Sequence, residues 1–206
     1  KSQNLARTIL RNSDFNFVDN LIKMKKFNAS VNNLTIYAES KDNKDNYNNI
    51  WIGGSSPNGF IQIYNFDQGS IEIFDYGLTE ITHFYFDNEI AYVSFIDGQD
   101  VGFMKFVFSN NKWSYRDIYR NFPVTIEEIT GFEILETTLT SEKNIFLGTS
   151  MGLFSGDIST NLKDPNNWER EFCCFEDGTV KAMTKYQNGF AFIFDGFNNT
   201  PACWLE

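Results

Sequence analysis

The chain has 206 residues and a mass of 23.8 kDa, enough for one domain with its own core and too little for two of ordinary size. Hydrophobic residues make up 42% and charged residues 21%, proportions that exclude a disordered, collagenous or coiled-coil chain. The formal charge of −10, from 17 Lys+Arg against 27 Asp+Glu, repels phosphate backbones and anionic lipid and argues against nucleic acid as a primary partner.

Within those totals the skew is aromatic. There are 22 Phe but only 4 Pro, a balance that favours strands. No apolar run reaches the roughly 18 residues of a spanning helix, and the first residues lack the apolar core of a signal peptide, so membrane insertion is not expected. The chain begins at Lys1, which favours a piece cut from a longer protein. Asn is abundant at 24 residues, the bias of an A+T-rich coding sequence such as phages, some environmental bacteria and several protists share.

In chain order, residues 1–31 read as an N-terminal arm, with 2–12 as the clearest helix candidate. Residues 33–38, 49–54, 60–66 and 70–76 then alternate apolar and polar positions and are separated by polar or Gly-containing turns, so four short strands fit into about 45 residues. That spacing is typical of a propeller blade. The pattern starts over with 81–87, 90–96, 101–108 and 112–118. A third set runs through 129–139, 144–148, 152–158 and 168–172, and a fourth through 180–186, 190–194 and 201–205. The expectation is an all-β chain of about four blades of four antiparallel strands, at about 32–77, 81–118, 126–174 and 180–206.

Two sets share more than spacing. Residues 49–55, Asn-Ile-Trp-Ile-Gly-Gly-Ser, are followed by Gly59-Phe60-Ile61. Residues 144–150, Asn-Ile-Phe-Leu-Gly-Thr-Ser, are followed by Gly152-Leu153-Phe154. Glycine suits a strand end where the backbone turns sharply beside its neighbours, and the aromatic after the turn fills the layer between blades. Trp51, Gly53, Gly54, Gly59, Gly148, Gly152 and Phe154 are therefore expected to form the structural blade motif. These pieces resemble the blade repeats of β-propellers of the two-component-regulator sensor type. In the third set Ser155-Gly156-Asp157 with Trp168 resembles the Asp-box of sialidase-like and sortilin-like propellers, though the spacing to the tryptophan is longer and the turn glycines are missing. The stretch 148–159, with Pro165 and Trp168, is also similar to repeats in large virion and tail proteins of phages. A sandwich or barrel with aromatic strands would show the same alternation.

A ring needs about four to eight blades, and the fourth set lacks a strand. Either the ring is completed by sequence beyond this chain, or residues 14–21 supply the missing strand, with Phe15 and Phe17 on one buried face.

Chemistry has few candidates. His83 is the only histidine, so no multi-histidine metal site can be built, and a hydrogen-bonded strand histidine is its simpler reading. Ser94, Ser109 and Ser155 lack the Gly-x-Ser-x-Gly elbow. A glycosidase-like acid and base pair would have to come from Glu127, Glu128, Glu133, Glu136, Asp97, Asp100 or Asp195. Arg7, Arg11, Arg116, Arg120 and Arg170 show no arrangement for holding a sialic acid carboxylate. Asp42 with Asp45, and Asp97 with Asp100, place oxygen ligands at short spacing but lack the EF-hand pattern, and read as turn residues. Sequons at Asn28, Asn33 and Asn198 are expected by chance in an Asn-rich chain. Cys173, Cys174 and Cys203 lack zinc spacing; a bridge from Cys203 to either neighbour is open, with reduced, core-packed thiols as the simpler expectation.

No catalytic, metal or cofactor residue is assigned. The resulting expectation is a non-enzymatic structural or interaction module of a larger protein, favoured at a virion, phage tail or cell surface. Its partners would be other protein subunits or the rest of a longer chain, with a glycan as a further candidate. The alternatives are a carbohydrate-binding or sialidase-like propeller, which would expose Trp and Tyr beside paired carboxylates, and an extracytoplasmic sensor propeller.

Overall fold

The computed structural model describes residues 35–37, 47, 49–54, 59–65, 70–136, 143–171, 178–186, 189–195 and 202–205. Within them run fifteen strands in four antiparallel sheets, each a meander in which a strand pairs with the next in sequence. The first sheet holds β1 (Thr35–Tyr37), β2 (Asn49–Gly54), β3 (Gly59–Asn65) and β4 (Ser70–Leu78). The second holds β5 (Glu80–Asp87), β6 (Ile90–Asp97), β7 (Asp100–Ser109) and β8 (Lys112–Tyr119). The third holds β9 (Ile129–Glu136), β10 (Lys143–Thr149), β11 (Gly152–Asp157) and β12 (Glu169–Glu171). The fourth, β13 (Thr179–Tyr186), β14 (Gly189–Asp195) and β15 (Ala202–Leu205), has three strands among the described residues.

The all-β class agrees with the alternation in the sequence. The helix expected at 2–12, the strand at 14–21 with Phe15 and Phe17, the acidic pair Asp42 and Asp45, and the three sequons lie outside the described residues. Turns explain part of the asparagine content. Asn88 (φ 51°) turns β5 into β6, and Asn110 and Asn111 (φ 54° and 59°) turn β7 into β8. Asparagine tolerates left-handed backbone better than most non-glycine residues, and a two-residue hairpin needs it.

Each sheet buries its faces against its neighbours in sequence. Trp51, Ile61 and Ile63 of the first sheet share a core with Ile81, Phe84, Val93 and Phe106 of the second. Tyr92 and Phe103 of the second share another with Ile129, Phe132, Leu147 and Trp168 of the third. Phe146 and Leu153 of the third meet Val180, Phe190, Phe192 and Cys203 of the fourth. Alternation decides which core a residue enters. On β10, Ile145 and Leu147 face back to the second sheet while Phe146 faces on to the fourth.

The junctions follow one plan. A Cβ on Gly53 would lie 2.6 Å from Ile81 Cγ2 and 2.8 Å from Phe84 Cζ. One on Gly148 would lie 2.6 Å from Met183 Sδ and 2.7 Å from Val180 Cγ1. Ile81 and Phe84 on β5, Ile129 and Phe132 on β9, and Val180 and Met183 on β13 hold matching positions. Each pair flanks a β-bulge that leaves out Thr82, Thr130 or Lys181 from the register. The local sequences Glu-Ile-Thr-His-Phe at 80–84 and Glu-Ile-Thr-Gly-Phe at 128–132 differ at one position. The second sheet uses Ser94 where the others use Gly53 and Gly148; it is fully buried, with its hydroxyl 2.7 Å from Thr82 Oγ1. In the fourth sheet the matching residue is Ile193, 43% exposed.

One expectation is corrected. Cys203 is not a reduced thiol but is disulfide-bonded. The chain's other two cysteines, Cys173 and Cys174, lie outside the described residues.

Candidate functional site

The candidate site lies between the second and third sheets, where the β6–β7 turn meets the loop that leads from β8 to β9. It is built from a close approach. At Gly102 a Cβ would collide with the Tyr119 carbonyl oxygen and would sit 2.7 Å from Phe95 Cζ and 3.2 Å from Arg120 Cγ. Only glycine leaves room for the Arg120 chain to cross the Phe95 ring, where its guanidinium carbon lies 4.8 Å from the ring centre. Arg120 Nη1 then donates to Asp97 Oδ2 at 2.8 Å and lies 4.0 Å from Asp100 Oδ2. An aromatic face and two carboxylates from the turn thus fix one cation.

Beyond Arg120 opens a cleft of about 540 Å³, within the range of small-ligand sites. Its walls include Gln99, Asp100, Asn121, Phe122, Val124, Thr125 and Pro165. The outer wall is held by the long β11–β12 connection. Asp157 starts that connection by accepting from the Ser159 N–H and hydroxyl, both at 2.8 Å, and these bonds hold its carboxyl below the usual range. Asp164 caps the 3-10 turn Pro165–Asn167. The buried Trp168 indole donates to the Leu162 carbonyl at 2.9 Å and packs 5.6 Å from the Phe122 ring, and Asn121 Nδ2 donates to the Lys163 carbonyl at 3.2 Å.

The site joins groups that the sequence offered separately. Asp97 and Asp100 were candidate oxygen ligands and Arg120 one arginine among five; the register of β6, β7 and β8 brings them together. The Asp97–Asp100 pair behaves as a turn that clasps an arginine. No group of three or more His, Cys, Asp or Glu among the described residues is placed to hold a metal ion, and no described helix is long and apolar enough to cross a membrane.

The other candidates are dispersed. His83 stacks on Phe132 at 6.0 Å, and burial pushes its pKa down to about 4. Glu133 is buried and accepts from the Tyr85 hydroxyl at 3.4 Å, while Tyr85 also accepts the Ile134 N–H at 3.2 Å; burial and the Glu133 charge raise the phenol's pKa. Ser155 donates to Glu171 Oε1 at 2.5 Å and Ser94 is bonded to Thr82. Glu136 pairs with Lys143 at 3.6 Å and Asp195 with Lys181 at 3.5 Å. Glu127 and Glu128 are exposed beside the cleft loop. Arg7 and Arg11 lie outside the described residues; Arg116 is exposed on β8 and Arg170 is half-buried on β12.

The residues of the repeated hairpin occupy buried, strand-end or turn positions. Trp51, Trp113, Phe154 and Trp168 are all buried, so none of these rings is offered to a ligand. Gly54 ends β2 opposite Phe60, a Cβ on Gly59 would lie 2.9 Å from the Glu80 nitrogen, and Gly152 turns β10 into β11 at φ 110°. No protein family, curated protein or solved structure matches the chain.

Proposed function

We propose that the four sheets are blades of a β-propeller and that the chain is a non-enzymatic structural and interaction module of a larger assembly. The observation that carries this reading is the repeated junction. A small buried residue at Gly53, Ser94 or Gly148 recurs in three successive sheets, and a bulged first strand with an apolar pair follows in the next. Stacking one supersecondary unit on the next in this way is what repeat architectures do. Binding is favoured over catalysis because, among the described residues, the lone histidine and a candidate serine are engaged in packing and pairing: His83 stacks in a sheet interface and Ser155 is bonded to Glu171. The disulfide at Cys203 fits an oxidising setting outside the cytosol. The virion or phage tail implied by the resembling repeats is such a setting.

Cryo-electron microscopy of the assembly that copurifies with the parent protein tests the proposal. The expected result is radially arranged sheets with their loops against another subunit. Sheets stacked without curvature, or a parent protein that purifies alone and turns over a glycoside, would overturn it.

A further inference from the structure

We infer that the Arg120 cleft is a binding site for a neutral saccharide; this deepens the reading of the chain as a binding module and rests on it. The polar groups come first. Arg120 spends one nitrogen on the two aspartates, and among the described residues its remaining N–H donors have no hydrogen-bond partner. The Asp100 side chain is 75% exposed, and neither it nor the Gln99 and Thr125 side chains beside it has a hydrogen-bond partner among the described residues. A fixed fork of donors, a carboxylate acceptor, an amide and a hydroxyl therefore face one cleft with their capacity unused. A vicinal diol matches that set, since each hydroxyl both donates and accepts.

The apolar groups complete the fit. Phe122, Val124 and Pro165 line the same cleft, and the C–H face of a pyranose needs such a wall opposite its hydroxyls. Charge then selects within the class. One arginine stands against two aspartates, so the local balance is −1, and the whole chain carries −10. An anionic sugar, a phosphate or a carboxylate ligand would meet repulsion from Asp100 and find the Arg120 charge already answered. The volume of about 540 Å³ admits one or two sugar rings.

Saturation-transfer NMR on the whole chain tests this with methyl α-mannoside, methyl β-glucoside, methyl β-galactoside, N-acetylglucosamine, sialyllactose and a proline-rich peptide as probes. The expected result is transfer to at least one neutral sugar with millimolar affinity. Asp100→Ala and Thr125→Ala, both at exposed positions, are each expected to weaken it about tenfold while leaving the melting temperature unchanged. Absence of transfer to every neutral sugar, a preference for sialyllactose or the peptide, or unchanged affinity in both variants would overturn the inference and leave the scaffold reading standing. Release of a reducing sugar from a bound methyl glycoside in the same tube would support the saccharide site and sink the non-enzymatic reading.

Discussion

Glycines 102 and 148 face neighbours of different stiffness, and the difference sets what a methyl group costs at each. Beside Gly102 stands the carbonyl oxygen of Tyr119, part of the β7–β8 ladder, which cannot retreat without breaking pairing. Beside Gly148 stands the thioether of Met183, whose unbranched chain can give way, together with the stiffer Val180. Gly102→Ala is therefore expected to lose about 3 kcal/mol and to loosen the Arg120 clasp, and Gly148→Ala about 1 kcal/mol. Urea unfolding of the two variants gives the order; equal losses would contradict the steric argument. His83 adds a pH term. Its folded pKa of about 4 lies below the unfolded value near 6.5, because burial beside Phe132 favours the neutral ring. Below pH 6.5 the unfolded chain takes up the proton first, so this contribution is complete above 6.5 and is lost as pH falls towards 4, by about 3 kcal/mol. Stability measured from pH 7 to 4 should fall more steeply in the wild type than in His83→Gln, and parallel curves would refute the assignment.

At the scale of elements, β15 carries Cys203, a cysteine held in a disulfide. With Cys203 in a disulfide and three cysteines in the chain, alkylation of the denatured, unreduced protein is expected to label one thiol, and alkylation after reduction three. Three labels without reduction would remove the disulfide and its support for an oxidising setting. Reduction should also cost about 2–4 kcal/mol of stability. That bridge was not legible in the sequence, because a vicinal pair and a distant cysteine allow more than one pairing and reduced thiols fit a core equally well. The strands were legible, since half-buried antiparallel ladders impose a period of two that segments such as 60–66 and 70–76 display. The repeat of Glu-Ile-Thr-x-Phe at 80–84 and 128–132 is visible in the sequence too, yet its meaning is not. A bulge makes the middle threonine drop out of register, and only the partner strand reveals it. The clasp of Arg120 by Asp97 was hidden for a related reason: the two residues are 23 positions apart and meet through the pairing of three strands.

For the whole molecule, the division of apolar residues into three cores has a consequence for cooperativity. The first core joins the first and second sheets, the second joins the second and third, and the third joins the third and fourth. No packing of comparable extent links a described strand of the first sheet to one of the fourth. Stability is then a chain of nearest-neighbour terms, as in repeat proteins, and damage should spread along the sequence of sheets rather than through all of them at once. Trp51 is the sharpest probe. It is 1% exposed in the first core and meets Phe84, Phe106 and Trp113 edge-on at 5.1–5.9 Å, all three in the second sheet. Trp51→Ala is expected to cost about 3–5 kcal/mol locally. Hydrogen exchange should then show protection lost in β2, β3 and β5, reduced in β6 and retained in β13 and β14. Phe192→Ala, in the third core, should show the reverse gradient. The exposed Ile193 beside it separates the two ends of the series further, because a residue of that size occupies the place where Gly53 and Gly148 seat the next sheet at contact distance. Among the described residues the fourth sheet packs against the third, and its strands should be the first to exchange when the third core is cut. Uniform loss of protection in both variants would mean that the four sheets fold as one unit and that the three cores are not energetically separate.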